Sequence, residues 1–205
     1  FDIITGGQSD YMIVTPDEPT QAATMAAEEL QTYLQKITGV ELPLVSEADA
    51  PAGPCIYVGP CDVARAADLI PQQREAFATR HIGDDLLIVG EDNEGHPLYS
   101  ESRTERPEAR TGTLYGVYEL LRRYGDVRWL WPGELGEVVP KAADFTIPDD
   151  IDWREAPDFK IRNLWLTYRN PEWQEREYYR WWRRTGQGQA LTGNSSHTYS
   201  RRLGG

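Results

Sequence analysis

Between Thr20 and Ile37 the apolar residues Ala23, Ala26, Ala27, Leu30, Tyr33, Leu34 and Ile37 recur at the spacing of one helix face, and Gly39 stands just past the last of them. Residues three and four apart form a stripe on a helix of 3.6 residues per turn. A glycine after the final turn can take the left-handed conformation that closes it. Such a stripe must be buried against another layer, and the flanking sequence is β-prone. Asp2–Ile4 and Tyr11–Val14 precede the helix, with a hairpin-like turn signal from Thr5 to Asp10 between them. Leu42–Val45 and Cys55–Val58 follow it, and Asp62 is placed to cap a short helix running to about Leu69. Phe77–Ile82 and Leu86–Val89 flank Gly83-Asp84-Asp85, which reads as a hairpin. A second helix carries Leu114, Val117, Tyr118 and Leu121 on one face and ends at Gly125, before a last strand at Val127–Trp131. Residues 1–148 are therefore expected to form an α/β (α+β) unit, a mixed β-sheet with helices packed on it. The polar stretch Glu91–Arg110 has no apolar periodicity and reads as a surface loop.

The texture changes near residue 150. Residues 1–150 hold 27 acidic and 11 basic side chains, whereas residues 151–205 hold 6 acidic and 10 basic, with five of the seven tryptophans. Two units are expected, 1–148 and 149–205. In the second, Ile161–Leu166 reads as a strand and Glu172–Arg184 as a helix, followed by a glycine-rich polar segment. That is one strand–helix unit, and a (β/α)8 barrel needs eight, so any barrel begun here is incomplete. The net charge of -12 disfavours nucleic acid as a partner. No apolar run approaches the roughly 18 residues of a membrane span. The chain starts at Phe1 with no leader, which fits either a removed signal peptide or an internal start.

Cys55 and Cys61 are the two cysteines. A strand leaving Cys55 carries the chain away by about 3.3 Å per residue, so reach disfavours a disulfide, whose Cα atoms lie within about 7 Å. His81, His96 and His197 are scattered and give no zinc spacing. No phosphate loop, dinucleotide fingerprint, metalloprotease motif or nucleophile elbow is present, and no cofactor is expected. The adjacent carboxylates Glu28-Glu29, Asp84-Asp85 and Asp149-Asp150 read as solvated surface, each lying in a turn or on a polar helix face.

The second unit mixes flat aromatic rings with directional donors: Arg162, Trp165, Tyr168, Arg169, Trp173, Trp181, Trp182, Asn194 and His197. Sugars are held by that combination, C–H faces on rings and hydroxyls on Arg, Asn or His. The competing reading makes Trp181 and Trp182 core. Arg180, Arg183 and Arg184 are read as a helix face packed on the acidic first unit rather than as a nucleic-acid patch.

Several segments taken in order resemble a known pattern: Ala26–Leu34, Ile37-Thr38-Gly39, Ile56-Tyr57-Val58-Gly59, Gly112–Leu121, Arg128–Gly133 and Gly136–Pro140. Over about residues 3–148 the chain resembles the bacterial proteins grouped as domain of unknown function 4838. Their N-terminal part is similar to the accessory domain that precedes the barrel in family 20 β-hexosaminidases and family 67 α-glucuronidases. The resemblance implies a secreted or periplasmic protein with carbohydrate as its partner. This chain would be a non-catalytic front part, the catalytic carboxylates lying on later barrel strands. It further implies that Pro157–Arg162 leads into the first barrel strand and that Arg162 contacts sugar hydroxyls. Trp165, Arg169, Asn194 and His197 complete the glycan-binding set. Leu166-Thr167-Tyr168-Arg169 departs from the family by lacking its aspartate. The alternative role for Arg162 is a pair with an acid of the first unit, such as Glu134 or Glu137. The alternative function is a non-enzymatic glycan-binding or scaffolding module; a structural domain supporting oligomerisation is a third. Sugar, linkage and oligomeric state are not specified by these residues.

Overall fold

The structure is a computed structural model that describes residues 1–98, 109–162, 164 and 172–189. Its elements are β1 (Asp2–Ile4), β2 (Met12–Thr15), α1 (Gln21–Thr38), β3 (Leu44–Ser46), β4 (Cys55–Val58), α2 (Asp62–Ala66), β5 (Phe77–Ile82), β6 (Asp85–Gly90), α3 (Gly112–Tyr124), β7 (Arg128–Trp129), β8 (Glu137–Val138), β9 (Phe145–Thr146), β10 (Asp152–Glu155), β11 (Ile161–Arg162), α4 (Glu172–Arg184) and β12 (Gly188–Gln189). A mixed six-stranded sheet runs in the order β10-β5-β6-β4-β2-β3. β3, β2, β4 and β6 are parallel neighbours, while β5 and β10 are antiparallel.

The pleat divides the apolar side chains of β6 between two clusters. Leu86 and Ile88 join Ile13, Ile56, Leu30, Tyr33, Leu114 and Leu121 under α1 and α3. Leu87 and Val89 face the other way, with Ala64 and Leu69 in and after α2. A strand covered on both faces reads as a continuous apolar run, and residues 86–89 are such a run. Fully burying a side chain such as Leu30 or Leu34 contributes roughly 1.5–3 kcal/mol, so α1 is held chiefly by its stripe.

α1 begins where the Thr20 side chain accepts from the Ala23 amide at 3.1 Å and ends at Gly39, whose φ is 83°. The glycines of the α3 motif have a packing reason. A Cβ on Gly112 would stand 2.3 Å from the Ala76 carbonyl oxygen, and one on Gly116 would stand 2.9 Å from Ile88 Cγ2. On the strand side, a Cβ on Gly90 would lie 2.0 Å from the backbone of Gly112 and Thr113. Backbone meets backbone where α3 starts across the sheet.

Several local expectations are corrected. β1 does not form a hairpin with β2. Thr5 and Gln8 close their own tight turn by paired backbone hydrogen bonds of 2.9 and 3.0 Å, and β2 is already paired on both sides by β3 and β4. β1 pairs instead with β9, far along the chain. α2 ends at Ala66 because Asp68 takes a left-handed φ of 50°. Asp62 is its first residue rather than its cap, and the Glu47 carboxylate receives the Asp62 amide from outside at 2.8 and 3.0 Å. Cys55 and Cys61 are both buried free thiols. The Gly83-Asp84 hairpin forms as expected, with Ile82 opposite Asp85.

The sheet's outer strand β10 lies past residue 148, pairing Asp152–Glu155 with β5. Beyond it, β11 and β12 are paired antiparallel, Ile161 opposite Gln189. Consecutive strands of a (β/α)8 barrel are parallel, whereas β11 and β12 are antiparallel. No described helix is long and apolar enough to cross a membrane.

Candidate functional site

α4 ends in Arg-Trp-Trp-Arg-Arg, and its arginines enter two carboxylate sockets made by the rest of the chain. Trp182 is fully buried beside them, and Trp181 donates from Nε1 to the Trp129 carbonyl at 2.9 Å. Both tryptophans therefore serve the interface, as the competing sequence reading had it.

The first socket is Glu29 on α1. It sits on the ridge Ala22, Ala26, Glu29, Tyr33 and is buried with them. Arg180 Nη1 reaches its Oε1 at 2.6 Å, and Arg184 places Nε and Nη2 on its Oε2 at 3.1 and 3.0 Å. Two donors in a rigid fork fix both distance and plane. Arg184 Nη1 also reaches Glu137 Oε1 at 2.7 Å, and Lys36 Nζ holds Glu137 Oε2 at 2.6 Å. Tyr33 donates its hydroxyl to Glu137 at 2.8 Å and accepts from Trp129 Nε1 at 2.7 Å. The Arg184 guanidinium lies 5.3 Å from the Tyr33 ring centroid, within cation–π range. Burial alone would raise the Glu137 carboxyl, but the bonds from Lys36 and Tyr33 and the Arg184 charge outweigh it and leave its pKa below the ordinary value. Burial would likewise lower Arg184, and the Glu29 charge overcomes it, so its pKa is raised.

The second socket is Glu75, only 1% exposed and held at a left-handed φ of 54°. Non-glycine residues seldom adopt that region, and where they do the surroundings must fix them. The Glu75 amide donates to Glu91 at 3.0 Å, and Arg162 Nη2 stands 2.9 Å from Glu75 Oε2. Arg183 is fully buried with Nη1 3.5 Å from Glu75 Oε1. Its other reach is to oxygen: Nε to the Pro97 carbonyl at 2.9 Å, Nη1 to the Tyr115 hydroxyl at 2.8 Å and Nη2 to the Ala109 carbonyl at 2.9 Å. Tyr115 in turn donates to the Gln187 carbonyl at 2.5 Å.

Arg162, singled out from sequence for sugar contact, is thus committed to protein acceptors at each of its nitrogens. Nε goes to Gly186 O at 2.7 Å, Nη1 to Phe159 O at 2.7 Å and Nη2 to Glu75. Its acid partner is Glu75, not Glu134 or Glu137. A Cβ on Gly188 would stand 2.3 Å from Arg162 Nη2, so a larger residue there would push the guanidinium aside. Trp165, Arg169, Asn194 and His197 lie outside the described residues. The helix-face reading of Arg180, Arg183 and Arg184 is what the structure has. Glu29, expected on a solvated face, is buried instead; its spacing of three from Ala26 and four from Tyr33 was the signal that places it on the stripe. The loop expected from Glu91 to Arg110 is buried at Pro97, Leu98 and Ala109, and the Pro97 and Ala109 carbonyls receive Arg183.

Beside the second socket opens a cleft of about 390 Å³, walled by Tyr118, Glu119, Arg122, Glu155, Phe159 and Arg162 among others. Its guanidinium groups are already paired: Arg122 with Glu119 at 2.5 Å and Arg162 with Glu75. Phe159 exposes its ring at the rim.

A third polar node ties the helix starts. Asp92 accepts from the Thr113 amide at 3.0 Å, from the Thr113 hydroxyl at 2.6 Å and from the Thr20 hydroxyl at 3.4 Å. Burial pushes its carboxyl up to about 6, only partly offset by those threonine hydrogen bonds.

No protein-family model matches the chain, and no curated protein matches its sequence. Among solved structures it is similar to a family GH115 4-O-methyl-α-glucuronidase with specificity for decorated arabinogalactans, with a TM-score of 0.51 and 15% identity over 79% of this chain and 19% of that one. It also matches the GH20 β-N-acetylhexosaminidase of Streptomyces coelicolor A3(2), with a TM-score of 0.45 and 12% identity over 78% and 24% of the two chains. A GH138 enzyme targeting pectin rhamnogalacturonan II matches with a TM-score of 0.34 and 18% identity over 56% and 10%. The chain spans about a fifth of the GH115 enzyme's length. The mixed sheet carrying its helices is a fold it shares with part of that glycoside hydrolase.

Proposed function

We propose that this chain is the non-catalytic N-terminal part of a secreted glycoside-hydrolase-like protein acting in glycan degradation, an accessory domain leading into a (β/α) barrel. The observation that carries the reading is the fold shared with the GH115 α-glucuronidase over 79% of the chain. The chemistry of the sockets agrees with a supporting role. Glycoside hydrolysis uses two carboxylates about 5–10 Å apart across the scissile bond. The buried Glu29 and Glu75 and the half-buried Glu137 are each held by arginine or lysine, and the pairs made by Arg180, Arg183 and Arg184 fasten α4 to the sheet unit.

The test is turnover of an aryl-glycoside panel by the purified chain and by the full-length polypeptide that contains it. The reading expects hydrolysis only by the latter. Turnover by the 205-residue chain, abolished by substituting one of its own carboxylates, overturns it. The cleft of about 390 Å³ with the exposed Phe159 ring at its rim favours a second reading, a glycan-binding module without chemistry. Rings stack on the C–H faces of sugars. A full-length protein that binds glycans through Phe159 and hydrolyses none supports that reading over the first.

A further inference from the structure

The β7–β8 hairpin carries large apolar side chains into solvent. Leu130 is 68% exposed, Trp131 70%, Leu135 103% and Val138 45%. Single apolar residues scattered on a surface need no explanation, but a contiguous group marks a surface that meets something. The turn that presents them is rigidly built. The Leu130 amide donates to the Gly136 carbonyl at 2.8 Å and the Gly136 amide to Gly133 at 3.1 Å. Gly133 sits at φ 80°, and a Cβ on Gly136 would lie 2.0 Å from the Trp131 carbonyl oxygen. Aromatic and aliphatic anchors on a fixed backbone bind with little ordering cost, which is how interface hot spots are made. The base of the same hairpin is already an interface. The Trp129 carbonyl accepts from Trp181 of α4, and the Trp129 ring packs edge-on against Tyr33 and Tyr118.

We propose that Leu130, Trp131 and Leu135 are the seat of a further folded module carried on the same polypeptide, extending outward the surface on which α4 has docked. The proposal rests on the functional reading above. Two observations select this occupant. The matched part of the GH115 enzyme is 19% of its chain, so this fold occurs there within a much longer polypeptide. Charge argues against the other occupants: the chain carries a net charge of -12, so a second copy or an anionic bilayer would be repelled. A tethered module escapes that penalty because its binding is intramolecular and needs little affinity of its own.

Hydroxyl-radical footprinting of the 205-residue chain and of the full-length polypeptide containing it tests the proposal. Trp131 and Leu135 should be oxidised readily in the first and protected several-fold in the second. Leu44 and Ile82, each 39% exposed elsewhere on the surface, should react alike in both. Trp131→Ser with Leu135→Ser should leave the melting temperature of the 205-residue chain unchanged and split the full-length protein's unfolding into two transitions. Equal oxidation in both proteins overturns the proposal, as does a natural polypeptide no longer than this chain. Protection that arises from dimers of the chain, or only on phosphatidylcholine or phosphatidylserine vesicles, overturns it too. A full-length protein with Trp131 protected and no glycoside turnover would sink the functional reading and leave the seat standing.

Discussion

The buried Glu75 carboxylate is met by Arg162 at 2.9 Å through a single guanidinium nitrogen, while Arg183 stands back at 3.5 Å. Removing Arg162 leaves Glu75, among the described residues, with the more distant charge of Arg183. Arg162→Ala should therefore destabilise the chain by about 2–3 kcal/mol, near the low end for orphaning a buried charge because Arg183 remains. Arg162→Lys should recover little, since one ammonium cannot serve Glu75, Gly186 and Phe159 together. Thermal melts of both variants check this. An unchanged melting temperature with weakened glycan affinity would instead support the sugar-contacting role implied by family resemblance.

The Glu29 socket gives a second expectation. Glu29→Ala leaves the buried Arg184 with Glu137 as its remaining carboxylate partner and should cost about 2–3 kcal/mol, whereas the partly exposed Arg180 can turn to water. The double variant Glu29→Leu with Arg184→Met should restore much of that loss, because apolar side chains of similar size can replace a buried pair. The measurement is denaturant unfolding followed by tryptophan fluorescence. A double variant as unstable as Glu29→Ala would show that the loss does not come from the uncompensated charge.

Asp92 should make stability depend on pH in an unusual sense for a carboxylate. Its folded pKa is about 6 against an ordinary 3.8, because burial disfavours the charge. Protonation therefore stabilises the folded form. That contribution is complete below the ordinary value and is lost as pH rises through 6. At about 1.4 kcal/mol per unit it amounts to roughly 2–3 kcal/mol. Asp92→Asn keeps an acceptor for the Thr113 amide and never ionises. It should melt above the parent at pH 7.5, with the gap closing toward pH 4.5. Parallel pH profiles for the two proteins would refute this.

Two glycines in the same hairpin should respond very differently to alanine. Gly90→Ala drives a Cβ into the backbone of Gly112 and Thr113 at 2.0 Å, and the loss should exceed about 4 kcal/mol or prevent folding. Gly83 has open space around it and only its φ of 65° to defend, so Gly83→Ala should cost about 1–2 kcal/mol. Soluble yield and melting temperature separate the two. Equal effects would mean that α3 can move off the sheet freely.

Periodic burial was the legible part of the fold. Ala23 through Ile37 and Leu114 through Leu121 each present one apolar face, and the helices form where those faces are. Pairing was less legible, because the partner of a short strand is set by which edges remain free. β1 has the composition of a hairpin arm, yet β2 has no free edge to offer it. The socket acids were hidden for a related reason. Glu29 looks like any helix-surface glutamate until an arginine from residue 184 covers it, and no local pattern encodes a partner 155 positions away. Arg162 was found by its motif, but its acid partner, Glu75, could not be, since that residue sits in a loop with no periodicity to mark it.

Among the described residues, the groups on other elements that receive α4 side chains come earlier in the sequence: Glu29, Glu75, Pro97, Ala109, Tyr115, Trp129, Glu137 and Leu164. During vectorial synthesis the receiving surface is therefore complete before this helix leaves the ribosome. A helix of 13 residues is marginal on its own in water, so α4 takes its shape from a template already made. The dependence runs one way along the chain, and α4 is the last described helix to be assembled.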